Sequence, residues 1–362
     1  MRISLVHYSA PPVIGGVERV LAQQAQTLAR HGHQAVVVCA TKGARVDGAV
    51  MEYAPNFYIK RVLSALAGSD VVIVHNMFTM PFNWDSTKTL AQISREMTGA
   101  RFINWVHDID VTRGDFEALD LRASHVAVSE VRRREFCKMA GLKEANCAVV
   151  PNGVDVLATL GLGKNVAAFA AKHKLLSREM VLFHPARVLS RKNIELDVEV
   201  TAALRKQGVD AVCVVTGARD PHRPESDGYA DSVRALVAKR KMQDTVLFVA
   251  DAFEPGEDEV RGFYSLVDAV FFPSKSEGFG LPLLEAALHR LPVFCSDIPS
   301  HRELADHDAH LFKLTEDPAG LARKIAAALK KDTSLNRRRE VLRRFDWDGI
   351  YKEYLEPLLK KS

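Results

Sequence analysis

The chain has 362 residues, 47% hydrophobic and 26% charged, with 49 Lys and Arg against 45 Asp and Glu for a net charge of +4. That length exceeds one ordinary domain and suits two, and the composition is that of a globular chain, neither disordered nor fibrous. The charge excess is too small to indicate nucleic acid, but it permits an anionic substrate or a weak contact with an anionic membrane.

The five cysteines, Cys39, Cys137, Cys147, Cys213 and Cys295, are scattered without a C-x-x-C pair. They indicate neither a disulfide framework nor a zinc site. The chain opens on a strand-like run, MRISLVHY, without a signal-peptide pattern. No apolar run approaches the ~20 residues of a membrane span. A cytoplasmic setting is expected, with the inner membrane face as the place for any peripheral contact.

The first half alternates short apolar runs with helical patterns. Strands are expected at Ile3–His7, Ala35–Cys39, Val71–His75, Phe102–His107, His125–Val128 and Ala148–Val150, with the clearest helix at Val17–Arg30. Continuous apolar strands separated by helices argue for a parallel sheet covered on both faces. Gly15-Gly16 closes the first strand-to-helix connection, where a Rossmann-like fold brings its backbone close to a phosphate. It is not G-x-G-x-x-G, and no acid follows the second strand in the dinucleotide pattern, so a hydride-transfer cofactor is disfavoured. His75-Asn76 and His107-Asp108 follow their strands directly, at the ends that line a binding crevice. The D-x-D pattern Asp108-Ile109-Asp110 reads as a loop start, not a metal motif. Glu130–Leu142 reads as a basic helix, and a solvated face is the simpler reading than a helix lying on a membrane. Pro151-Asn152-Gly153-Val154-Asp155 breaks the pattern and suits a crossing between domains.

A second alternating series starts at Met180. Strands are expected at Val181–Pro185, Ala211–Thr216, Val246–Ala250, Ala269–Phe272, Val293–Cys295 and His310–Phe312. Helices are expected at Asn193–Gln207, Tyr229–Lys241, Glu259–Ser265, Leu283–Leu291 and Pro318–Lys331. Arg187 and Lys192 bracket the loop after the first of these strands, where a fork and a point charge can neutralise a diphosphate. A solvated basic loop is the alternative, and Arg191 reads as an outward bystander. The loop Thr216–His222 offers Gly217 for close approach to a nucleotide. Arginines 337, 338, 339, 343 and 344 read as a solvated helix face, with anionic-lipid contact the lesser reading. Phe345-Asp346-Trp347 leads into a last helix over Ile350–Leu359. No short-period repeat is visible, which argues against a solenoid.

The most informative stretch is Phe271–Leu291, FFPSKSEGFGLPLLEAALHRL. A strand stops at Pro273, and Glu277-Gly278-Phe279-Gly280-Leu281-Pro282 leads into a helix. Glycines permit close backbone approach. Free amides at a helix start, with the dipole behind them, make a phosphate site. Glu277 and Glu285 flank that site with carboxylates, as hydroxyls on either side of a phosphate would require. Each part alone is common, and two glutamates near a helix start also favour the macrodipole. The combination is specific.

E-G-F-G-L-P-x-x-E at 277–285 closely resembles the Glu-x7-Glu signature of the retaining GT-B glycosyltransferases called "glycosyl transferases group 1", of family 4 type. R-x4-K at 187–192, Gly15-Gly16, His107-Asp108 and P-N-G-V-D at 151–155 agree with it, and the resemblance covers essentially the whole chain. It implies an α/β fold of two Rossmann-like parallel-sheet domains facing a deep cleft, divided as 1–165 and 166–345, with 346–362 crossing back to the first domain. It also implies metal-independent, cofactor-free transfer of a hexose, with retention, from a nucleotide-diphosphate sugar (GDP-mannose or a UDP-hexose). The acceptor would be a hydroxyl of a glycan, lipid-linked glycan or small molecule, in cell-surface glycan or glycoconjugate synthesis. On this resemblance Arg187, Lys192, Gly278 and the amides of Phe279, Gly280 and Leu281 hold the diphosphate. Gly15 and Gly16 face it, and Gly217 lies near the nucleotide. Glu277 takes sugar hydroxyls, Glu285 the ribose, and His107 the sugar or the acceptor. The departing phosphate acts as base, and no protein nucleophile is assigned, with Asp108 the nearest carboxylate. The acceptor is expected at 8–14, 52–60, 76–87 and 108–118, with Tyr8, Phe57, Tyr58, Met77, Phe78, Phe82 and Trp84 as stacking candidates. A GT-B-fold sugar-nucleotide epimerase and a non-catalytic nucleotide-sugar binding protein are the alternatives.

Overall fold

A computed structural model describes residues 1–217, 227–305 and 309–360. The chain forms two compact units: residues 1–155 joined by the segment from Arg344 onward, and residues 156–343. The division expected at 165/166 therefore falls earlier, at Asp155/Val156. The helix Lys164–Lys172 buries Val166, Phe169 and Ala170 in the core of the second unit, and so belongs to it.

The first unit holds seven strands: β1 (Arg2–Val6), β2 (Gln34–Cys39), β3 (Ala49–Tyr53), β4 (Val71–His75), β5 (Arg101–Val106), β6 (Ser124–Ala127) and β7 (Cys147–Val149). They lie in the order β3-β2-β1-β4-β5-β6-β7, every pair parallel. β3 is not expected from the sequence. AVMEY sits at the sheet edge with both its ends half-exposed or exposed, so it lacks the continuous apolar signal of β2 or β4.

The second unit holds β8 (Met180–His184), β9 (Ala211–Val215), β10 (Val246–Phe248), β11 (Ala269–Phe272), β12 (Val293–Ser296) and β13 (Ala309–Phe312). Their order is β10-β9-β8-β11-β12-β13, again all parallel. In both units the strand order reverses beside the first strand, between β1 and β4 and between β8 and β11. Loops leaving the carboxyl ends of those strands diverge there and open a crevice. Each sheet is covered on both faces: successive residues of one strand, such as Val72 and Ile73 in β4 or Val214 and Val215 in β9, enter different apolar clusters.

The segment after Arg344 closes the first unit. Trp347 is 2% exposed and its indole donates to Gln23 Oε1 at 2.8 Å. Trp347 also covers Gly153, where a Cβ would stand 2.5 Å from Trp347 Cδ2. That contact is why the crossing segment carries glycine. Val154 N donates to Phe345 O at 2.6 Å, and the Tyr351 ring stacks on His31 at 3.8 Å. Ile350, Leu355, Leu358 and Leu359 are buried in the same cluster, each worth about 1.5–3 kcal/mol of transfer free energy. No helix among the described residues is long and apolar enough to cross a membrane.

Candidate active site

The reversal between β8 and β11 brings together two loops, 185–193 and 273–280. β11 ends at Phe272, and Gly280 then adopts φ +108°, a conformation that strains any residue with a Cβ. The helix Leu281–Leu288 starts there with Pro282 in its first turn, where the missing N–H is no loss. Among the described residues, the amides of Gly278, Phe279 and Gly280 donate to no protein acceptor. These amides are uncommitted donors at the start of the helix, the arrangement an anion site requires.

Glu277 sits beside it with its side chain 8% exposed. Its Oε1 accepts from Lys192 Nζ at 2.5 Å and from Ser274 Oγ at 2.6 Å, and its Oε2 accepts from Arg191 Nη1 at 2.9 Å. A carboxylate has about four acceptor positions, so one remains, on Oε2. Burial alone would raise the Glu277 carboxyl, but the bonds from Lys192, Ser274 and Arg191 outweigh it and hold the group below its ordinary range. Lys192 is itself buried, and burial lowers its ammonium despite the partnership with Glu277. The ammonium also lies 4.8 Å from the Phe272 ring centroid. Arg191 is thus no bystander. Asn193 turns at φ +58°, its amide donates to Pro273 O at 3.1 Å, and Lys275 N donates to Arg191 O at 2.7 Å. These bonds zip the two loops together and swing Arg191 onto Glu277.

A buried polar layer supports the pair. Ser296 Oγ donates to Ser274 O at 2.5 Å, and His301 Nδ1 meets Ser296 O at 2.9 Å. His184, which ends β8, bonds Asp197 at 2.6 Å with both side chains fully buried. Burial, only partly offset by His184, pushes the Asp197 carboxyl up. Neither of these networks is singled out by the sequence: His184-Pro185 reads as a strand end and Asp197 as one more acid in a helical first turn.

Glu285 does not join this cluster. It accepts from Tyr264 Oη at 2.7 Å, and burial, together with that carboxylate, drives the tyrosine far above its usual range. Arg187 is exposed on the loop after β8. Gly217 has φ +70°, and a Cβ on it would stand 2.9 Å from Phe248 Cδ1, so packing as well as backbone shape asks for glycine. The remainder of its loop, 218–222, lies outside the described residues.

In the first unit the carboxyl ends of β1, β4 and β5 carry His7, His75 and His107. His75 Nδ1 and His107 Nε2 are 3.0 Å apart, and His7 Nδ1 lies 2.9 Å from His75 O. Asn76, at φ +59°, accepts from the amides of His107 at 2.7 Å and Asp108 at 3.0 Å, which fixes the turn after β5. Gly16 opens the helix Gly16–Arg30 with nothing within 4 Å of its missing Cβ, and the Glu18 carboxylate covers Gly15. Ser9 Oγ holds that carboxylate at 2.6 Å.

Of the stacking candidates, Phe57, Met77 and Phe78 are core residues, whereas Tyr58 and Phe82 are exposed, at 64% and 71%. In the basic helix Glu130–Ala140, Arg132 pairs with Asp108 and Glu135, and Arg133 with Glu130 and Glu144. These pairs favour the solvated-face reading. The run 337–344 is only partly a solvated face. Arg339 bonds Asp268 at 3.2 Å and Arg338 caps Val267 O at 2.7 Å, because Asp268 is buried at the foot of β11 and requires a partner.

Residues 166–344 match the family model for Glycosyl transferases group 1, and residues 14–156 match that for Glycosyltransferase Family 4. The chain is 28% identical over 234 residues to a D-inositol 3-phosphate glycosyltransferase of Kineococcus radiotolerans, covering 63% of this chain and 49% of that one. It is 21% identical over 289 residues to a mannosylglucosylglycerate synthase of Petrotoga mobilis, covering 68% and 65%. It is 30% identical over 122 residues to the O-antigen chain mannosyltransferase RfbU of Salmonella typhimurium, covering 34% and 33%. The matched stretch thus spans about half the length of the first relative and less than two thirds of each. Among solved structures, Anabaena Alr3699/HepE in complex with UDP and glucose aligns over 100% of both chains at 17% identity and a TM-score of 0.42. With one family model on each doubly wound unit, and the Glu277–Glu285 signature inside the second, the chain belongs to the group 1 glycosyltransferases of GT-B fold.

Proposed function

We propose that this protein is a retaining, metal-independent hexosyltransferase that moves a sugar from a nucleoside-diphosphate donor to a hydroxyl acceptor in glycan or glycoconjugate synthesis. The observation that carries the reading is the buried Lys192–Glu277 pair beside the uncommitted amides of Gly278–Gly280. The difficult step is departure of a nucleoside diphosphate. Lys192 spends one of its three N–H donors on Glu277 and can aim the others at a phosphate oxygen. With Arg187 and the loop amides it would stabilise the charge that develops there, and one such donor is typically worth roughly 10²–10³ in rate. The free position on Glu277 Oε2 suits one sugar hydroxyl, and Glu285, oriented by Tyr264, suits the ribose. His107 is assigned to the sugar or the acceptor, and Gly15, Gly16 and Gly217 to close approach of backbone to the donor. The leaving phosphate takes the acceptor proton, so no protein nucleophile is needed. Mannose is the hexose to try first, because the Salmonella relative is named as an O-antigen chain mannosyltransferase; UDP-hexoses follow.

The test needs no acceptor. GDP-mannose, UDP-glucose and an N-acetylated UDP-hexose are each incubated with the protein and EDTA, and slow donor hydrolysis is followed by NMR. Release of nucleoside diphosphate with the sugar first appearing in the donor's own anomeric configuration supports the reading. The opposite anomer contradicts retention. Conversion of the sugar without nucleotide release points to an epimerase, and nucleotide binding with no turnover of any donor points to a binding protein.

A further inference from the structure

The three histidines at the ends of β1, β4 and β5 are on adjacent strands, and their hydrogen bonds can be assigned proton by proton. His7 Nδ1 faces a carbonyl, His75 O, which only accepts, so His7 carries its proton on Nδ1. A single proton lies between His75 Nδ1 and His107 Nε2, and either ring can own it. His75 is fully buried, and its other nitrogen, Nε2, has no partner. The cross-strand neighbour of His75 in register is Trp105, with ring centroids 5.7 Å apart, and the indole N–H of Trp105 is likewise buried without a partner. Indole only donates. A proton on His75 Nε2 would therefore leave two unaccepted N–H groups in the interior, on neighbouring rings. A proton on His75 Nδ1 leaves one, the indole N–H, and an unpaired lone pair on His75 Nε2. Orphaned buried donors are the rarer and costlier omission, which puts the proton on His75 Nδ1, donated to His107 Nε2.

We propose that His75 is a positioning residue that locks His107 in the Nδ1–H tautomer, so that His107 offers a ligand oxygen a neutral donor and not a base. His107 Nδ1 bonds to no described residue and is the ring nitrogen left open to a ligand. The turn is held independently by Asn76, which accepts both the His107 and Asp108 amides. Burial, reinforced by the nearby His7 ring, pushes His107 down to about 3, so the second proton is not supplied by ordinary protonation near neutral pH. The identity of the oxygen, a sugar or acceptor hydroxyl, rests on the transferase reading; the tautomer does not.

The protein is labelled with ¹⁵N-histidine, and ring-nitrogen shifts are read by NMR without ligand at pH 7, with assignment through His75→Leu and His107→Gln. The expected result is His107 protonated at Nδ1 and bare at Nε2 in the wild type, with both tautomers populated in His75→Leu. That variant should also lose about tenfold in kcat/KM with nucleotide affinity unchanged, the size expected for one neutral hydrogen bond. A wild-type His107 protonated at Nε2 overturns the proposal. So does an activity loss in His75→Leu with His107 still purely Nδ1–H, since His75 would then act only structurally. If His75→Leu does not fold, the wild-type tautomer alone decides. Failure to turn over any donor, with the tautomer as expected, would count against the transferase reading and leave the tautomer lock standing.

Discussion

Acid should unfold the first unit through His107, and the size of the effect follows from its burial. In the unfolded chain the imidazole takes a proton below about pH 6.5. In the folded chain burial holds it neutral down to about 3. A depressed folded value means that the unfolded state binds the extra proton as pH falls. The stabilisation is therefore fully present above pH 6.5 and drains away between 6.5 and about 3. Lowering pH from 7.5 to 5.0 crosses about 1.5 units of that window, or about 2 kcal/mol from this residue. His7 and His75 are lowered as well, by burial first, and add to the loss. All three tryptophans of the chain, Trp84, Trp105 and Trp347, belong to the first unit. Urea unfolding followed by tryptophan fluorescence thus reports the unit that holds the histidines. Wild type should lose more than 2 kcal/mol between pH 7.5 and 5.0, and His107→Gln should lose about 2 kcal/mol less over the same interval. Equal pH dependences in the two proteins would refute a buried, neutral His107.

Four substitutions probe the rest. Lys192→Met should lower kcat by roughly 10²–10³ while Glu277 keeps Arg191 and Ser274 and the far-ultraviolet circular dichroism is unchanged; a loss under tenfold would remove Lys192 from the step. Glu285→Ala should raise the donor KM, whereas Arg187→Ala should act mainly on kcat, and equal effects of both on kcat alone would contradict that split. Gly153→Ala places a methyl 2.5 Å from Trp347 Cδ2 and should cost about 1–3 kcal/mol, seen as a lower Tm with a red-shifted tryptophan emission; an unshifted Tm would mean that Trp347 is not seated on Gly153.

The sequence reveals those parts of the fold that bury continuously. VVIVH at β4 and AVFF at β11 are apolar on both faces and are legible to the residue. AVMEY at β3 is an edge strand in which no residue is fully buried, and its signal fades. Glycine positions are legible as demands on the backbone, and Gly280 at φ +108° meets one of them. Their reasons are not always what local pattern suggests. Gly153 is required by a tryptophan nearly two hundred residues away, and Gly217 by Phe248. Lys192 and Glu277 are legible through the family motifs they resemble, but their direct bond is not, because it depends on how two loops from β8 and β11 are zipped by Asn193 and Lys275. The same folding brings Arg191 onto Glu277, although its sequence context reads as an outward bystander. Charge counts mislead in the same way at Arg338 and Arg339, which answer the buried Asp268. His75 is legible only as a strand-end histidine, since its importance lies in what stands across the sheet, His107 and Trp105.

The most direct measurement is a thermal-shift titration with GDP, UDP and ADP in EDTA, on wild type and on Glu285→Ala. A nucleotide at 100 times its Kd adds about 2.7 kcal/mol to the stability of the state that binds it. The transferase assignment predicts a clear, metal-independent rise in Tm with one nucleotide, largely lost in Glu285→Ala. No rise with any of the three, or a rise that Glu285→Ala leaves intact, would contradict a donor site built on the Glu277–Glu285 stretch.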